Sequence, residues 1–155
     1  SPRLPKDRYV APEMAKWARI YRVGHDLLMP THVNDSKAML FILDTGAFSN
    51  MMSTRAARSV AKVSSDATIK VKGLSGEVNK TYSADKATLQ FANIRQPNQD
   101  MVAIDLTGLS KNLGIEVSGF LGFSTFRQLE MKIDYRDGLV EFIYDPSKLP
   151  PALRP

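Results

Sequence analysis

The chain has 155 residues, 43% of them hydrophobic, enough for one substantial core and too short for several domains of ordinary size. It contains no cysteine, which excludes disulfides, thiol catalysis and cysteine metal sites. The net charge of +5 raises the question of nucleic acid, but acidic residues are interspersed among the basic ones, so solvated faces are expected and a nucleic-acid partner is not.

Residues 1–17 carry Pro2, Pro5 and Pro12, lack an initiator Met and are expected to be a linker or extension. No apolar run in the chain is long enough to span a membrane, and no signal-peptide pattern is present. Periplasmic or secreted placement is expected only if an upstream signal has been removed. Positions 17–23 and 26–34 read as strands joined at Gly24-His25, and Asn34-Asp35-Ser36-Lys37 turns the chain into a third. That third strand, Leu40-Phe41-Ile42-Leu43, is a continuous apolar run of the kind buried on both faces, and it delivers Asp44 into an Asp-Thr-Gly turn. Thr45 brings a hydroxyl for a neighbouring backbone group or a symmetry mate. Gly46 permits unusual backbone angles and close approach of a second copy of the loop. Ser53 has the character of an N-cap for a short helix to about Val63, with Ala56, Ala57, Val60 and Ala61 at helical spacing.

Beyond this helix, 67–72 and 77–82 pair as a hairpin across Gly73-Leu74-Ser75-Gly76. Positions 86–91 and 99–106 are expected to be strands separated by a turn at 93–98. Asp105 is expected to cap or turn the chain before a short helix at 109–113. Val117-Ser118-Gly119-Phe120-Leu121-Gly122 precedes an apolar helical stretch at 123–129, and Asp137-Gly138 joins strands at 131–135 and 139–144. Pro146, Pro150, Pro151 and Pro155 end regular structure, leaving 148–155 as a Pro-rich tail. The sum is an all-β fold with short helices, a single domain over 18–147 whose strands close into a β-barrel.

The segment from Leu40 to Ser53 resembles the active-site loop of retropepsin-like aspartic proteases, in which an apolar strand, Asp-Thr-Gly-Ala and a strand leading to a small helix recur. Gly119, Phe120, Leu121 and Gly122 resemble that family's second signature, and their order with the following helix and strand is similar to bacterial single-lobe members. The resemblance implies a closed barrel of the retropepsin type, with Asp44 as the catalytic carboxylate and Thr45, Gly46 and Ala47 supporting its loop. It further implies that Gly73, Leu74, Ser75 and Gly76 form the tip of a flap over an extended substrate, and that Gly119 to Gly122 pack against the loop. Such an enzyme needs two carboxylates sharing a proton, and this chain offers one such turn. The resemblance therefore implies a homodimer, a polypeptide substrate and no metal or organic cofactor. The alternative is a peptide-binding or regulatory module of the same fold without catalysis.

Other residues compete with Asp44 less well. In Asp105-Leu106-Thr107-Gly108 the extra Leu changes the turn register, and too few residues follow for a second lobe. Asp134 beside Tyr135 suggests a structural hydrogen bond. His25 and His32 lack accompanying carboxylates in a metal-ligand pattern, and no Gly-x-Ser-x-Gly elbow marks a serine nucleophile. Phe48, Met51 and Met52 are expected to be core or wall residues near the loop.

Overall fold

The computed structural model describes residues 16–47, 49–63, 82–145 and 147. Two sheets organise them. In the smaller, β1 (Ala18–Arg19) and β9 (Leu129–Asp134) flank β10 (Leu139–Tyr144). In the larger, β2 (Tyr21–Val23) leads to β3 (Asp26–Val33), β4 (Met39–Leu43), β8 (Gly119–Leu121), β5 (Met51–Ser53), β7 (Ile94–Ile104) and β6 (Tyr82–Phe91) in spatial order. A further pairing of β3 with β6, Thr31 opposite Phe91, closes β3-β4-β8-β5-β7-β6 into a ring. The fold is all-β and retropepsin-like, with three short helices among the described residues: α1 (Thr54–Val63), α2 (Thr107–Leu113) and α3 (Phe123–Phe126). None of the described helices is long and apolar enough to cross a membrane.

The unbroken apolar run of β4 has a direct cause. Phe41 enters a large cluster with Met29, Met52, Leu89, Leu121 and Phe142, whereas Ile42 enters a second cluster with Leu28, Leu106 and Val117. A strand between two apolar layers cannot alternate polar and apolar residues. The large cluster also binds the two sheets together: the Phe142 ring meets Phe91 edge-on at 5.3 Å between centroids and stacks on Phe126 at 6.1 Å.

Three expectations need correction. The strand expected at 17–23 is split at Ile20: Ala18 and Arg19 pair with β10, Tyr21 to Val23 pair with β3, and the buried Ile20 donates its N–H to the Gly138 carbonyl at 2.9 Å as the chain changes sheet. The turn expected at 93–98 is only Ala92-Asn93, with Ala92 at φ 50, and β7 starts at Ile94. The polar, Pro-containing run 95–100 has a loop's composition, yet it pairs with β6 through register shifts that accommodate Pro97. Finally, the helix expected at 123–129 stops at Phe126, because Leu129 is already paired with Tyr144.

Elsewhere the local chemistry acts as its residues suggest. Ser53 Oγ accepts from the Ala56 N–H at 3.0 Å at the start of α1, whose Ala56, Ala57 and Val60 are buried while Arg55 and Arg58 face solvent. Asp134 Oδ1 accepts from the N–H groups of Arg136 and Asp137 at 2.9 and 3.2 Å, shaping the turn into β10.

Gly119 and Gly108 present opposite cases. A Cβ on Gly119 would strike the Met51 carbonyl and the Phe41 ring, whereas one on Gly108 in α2 meets nothing within 4 Å. Gly119→Ala should therefore cost about 3 kcal/mol, and Gly108→Ala should be neutral or stabilise by up to about 1 kcal/mol; urea denaturation of the two variants measures both.

Candidate active site

Asp44 leaves β4 as the last rung of a parallel ladder. Ile42 lies opposite Phe120 and Leu43 opposite Leu121, and the Asp44 N–H then donates to the Leu121 carbonyl at 2.9 Å. Alternation along β4 places Met39, Phe41 and Leu43 on the side of the large cluster and Leu40 and Ile42 on the other, so Asp44 belongs to the side of Leu40 and Ile42. Asp44 is part-exposed, at the end of the strand that carries Ile42 into the second cluster with Phe120 and Leu106.

The turn that follows folds back on Asp44. Its Oδ1 accepts from the Gly46 N–H at 3.0 Å, and its backbone carbonyl accepts from the Ala47 N–H at 3.1 Å. A Cβ on Gly46 would lie 3.2 Å from the same Oδ1, so glycine lets the carboxylate stand close against the backbone. Thr45 and Gly46 are exposed and Ala47 is part-exposed. Phe48 lies outside the described residues, while Met51 is part-buried and Met52 fully buried in the large cluster.

Gly119 to Gly122 meet this loop directly. The Phe123 N–H donates to the Ala47 carbonyl at 2.6 Å, and a Cβ on Gly122 would stand 2.6 Å from the Ala47 oxygen and 2.7 Å from that of Ser49. No larger residue fits at Gly122 without moving the loop. Gly73, Leu74, Ser75 and Gly76 lie outside the described residues.

Sequence reading missed one group altogether. Asn50, almost fully buried, accepts on Oδ1 from the Gly122 N–H at 2.8 Å and lies 2.9 Å from Thr125 Oγ1. The Thr125 hydroxyl has a second acceptor in Gln96 Oε1 at 3.0 Å, and Gln96 Nε2 donates to the Thr125 carbonyl at 3.2 Å. The signal was a lone amide between the loop and the apolar β5, too common a pattern to single out without its partner. Asp105, by contrast, takes no part in this network. Its Oδ1 accepts from the Thr107 N–H at 2.9 Å at the start of α2, and the Thr107 hydroxyl and backbone N–H hold its carboxyl below the usual carboxylate value.

Removing the Asn50 amide leaves the buried Gly122 N–H without its acceptor. Asn50→Ala should lower stability by about 1–3 kcal/mol, whereas Ser49→Ala, at the exposed neighbouring position, should change it by less than about 0.5 kcal/mol; thermal unfolding of both variants checks the contrast.

Comparisons with known proteins bear on the fold and the family. A retropepsin-like aspartic protease from Rickettsia conorii is 17% identical, with 82% of this chain and 90% of that one covered and a TM-score of 0.54. The retroviral protease-like domain of Ddi1 from Leishmania major is 15% identical, with 75% and 92% covered and a TM-score of 0.48. At 17% identity the first likeness speaks for the fold. Comparison with curated proteins gives no match. The family model described as aspartyl protease matches residues 29–125, a span that contains both the Asp44 loop and Gly122, and the chain belongs to that family as a retropepsin-like domain.

Proposed function

We propose that the chain is an aspartic endopeptidase whose active form is a homodimer, with Asp44 of each copy meeting at a two-fold axis. The observation that carries this reading is the Asp44 carboxylate itself, part-exposed and held by the Gly46 N–H in a loop braced from β8. One carboxylate cannot serve at once as base and acid, and a second copy supplies the missing one. Beside the loop, Phe123 is 49% exposed, an apolar surface suited to meeting that copy.

In the paired site a water between the carboxylates attacks the peptide carbonyl. One Asp44 takes the water's proton while the other protonates the carbonyl oxygen. The two Thr45 side chains brace the loops against each other. An extended substrate of about six to eight residues lies across the paired loops. Gly73, Leu74, Ser75 and Gly76 contribute a flap that excludes water, Gly122 keeps the loop in place, and 18–147 is the catalytic unit.

Asp44→Asn should abolish cleavage of a peptide library with the fold retained, and sedimentation should show a dimer at concentrations where the parent chain is active. Because only the singly protonated pair is competent, the rate should rise and fall with pH as a bell. Cleavage unaffected by Asp44→Asn would refute the reading, and a dimer inactive at every pH would make the domain a peptide-binding module.

A further inference from the structure

Behind the Asp44 loop, the side chains of Asn50, Thr125 and Gln96 meet with one hydrogen too few. Backbone groups fix which way each amide points. Asn50 Oδ1 accepts from the Gly122 N–H at 2.8 Å, and Gln96 Nε2 donates to the Thr125 carbonyl at 3.2 Å. Turning Asn50 over would aim its amine at the Gly122 N–H, and turning Gln96 over would set its oxygen against the Thr125 carbonyl. The fully buried Thr125 hydroxyl therefore stands between two acceptors, Asn50 Oδ1 at 2.9 Å and Gln96 Oε1 at 3.0 Å. It has one proton to give.

We propose that Gln96 is a positioning residue for the Asp44 carboxylate, drawing the Thr125 proton away from Asn50 and so setting how tightly the loop is clamped. Asn50 belongs to the segment that leaves the loop, and the Gly122 it holds stands against the Ala47 and Ser49 carbonyls. The Thr125 N–H donates in turn to the Gly122 carbonyl at 3.0 Å. With the hydroxyl proton on Asn50, the ring from Gly122 through Asn50 to Thr125 has a donor at every link. With the proton on Gln96, Asn50 keeps Gly122 alone and faces the Thr125 oxygen lone pair to lone pair. The two states differ by the rotation of one hydroxyl, so acceptor strength at position 96 shifts the balance between them. Gln96 itself is part-exposed at the start of β7, outside the loop it acts on. The effect on cleavage rests on the endopeptidase reading; the effect on the clamp does not.

Two substitutions at this one position test the proposal with opposite signs. Gln96→Glu supplies a stronger acceptor, a carboxylate ionised at pH 7 in a groove it shares with Arg95 and Arg127. Gln96→Leu, of similar size, supplies none. Hydrogen exchange of the Gly122 N–H, followed by NMR where local opening rather than global unfolding carries it, reads the clamp. Exchange should quicken about tenfold in Gln96→Glu and become slower than the parent's in Gln96→Leu. In peptide cleavage, kcat should fall with KM unchanged in Gln96→Glu and be retained in Gln96→Leu. A Gln96 that only props up the structure would loosen the clamp in both variants, since both lose the amide held on the Thr125 carbonyl. Faster exchange in Gln96→Leu, or no change in either variant, overturns the proposal. If Gln96→Glu does not fold, the direction in Gln96→Leu decides alone. A parent chain that cleaves no peptide defeats the endopeptidase reading and leaves the exchange result to decide this one.

Discussion

Three successive residues, from the last of β8 onward, grip the loop that carries Asp44. The Leu121 carbonyl accepts from the Asp44 N–H, the Gly122 N–H donates to Asn50, and the Phe123 N–H donates to Ala47. Between the first and last of these contacts the chain turns through Asp44, Thr45 and Gly46, and the carboxylate is fixed by the Gly46 N–H. The grip demands a residue without a side chain at Gly122, because the carbonyls of Ala47 and Ser49 occupy the space a Cβ would need. It also demands that β8 lie parallel to β4, which places the apolar clusters above and below the strand that ends at Asp44. Loop, ladder and core are thus one arrangement.

Much of this was legible in the residues. The four apolar residues before Asp44 mark a strand covered on both sides, Ser53 marks the start of α1, and Asp134 and Gly138 mark the turn into β10, each through a local rule that the tertiary structure leaves intact. The failures share a different cause. The run 95–100 is polar and contains Pro97, yet its position beside β6 makes it a strand; pairing partners far along the chain outweighed composition. Ile20 looks like any apolar strand residue, and only the existence of two sheets gives it the role of crossing point. Asn50 was invisible for the same reason, since its meaning lies in a glycine distant in sequence.

The polar network and the second apolar cluster divide the labour around Asp44. Asn50, Thr125 and Gln96 lie behind the loop, where a buried amide is satisfied by the groups it holds in place, a condition under which polar burial rigidifies a site. Beneath the strand, Ile42, Phe120 and Leu106 pack by non-directional apolar contact. The directional bonds are thereby concentrated behind the loop that carries Asp44.

The bond between Gly122 and Asn50 joins residues 72 positions apart, and the β4–β8 ladder beside it is equally non-local. Such contacts form only after a long stretch of chain has been brought together, so they belong to the late, slow part of folding. A chain still emerging from synthesis, or one cut between β4 and β8, carries Asp44 but not the clamp that aims it.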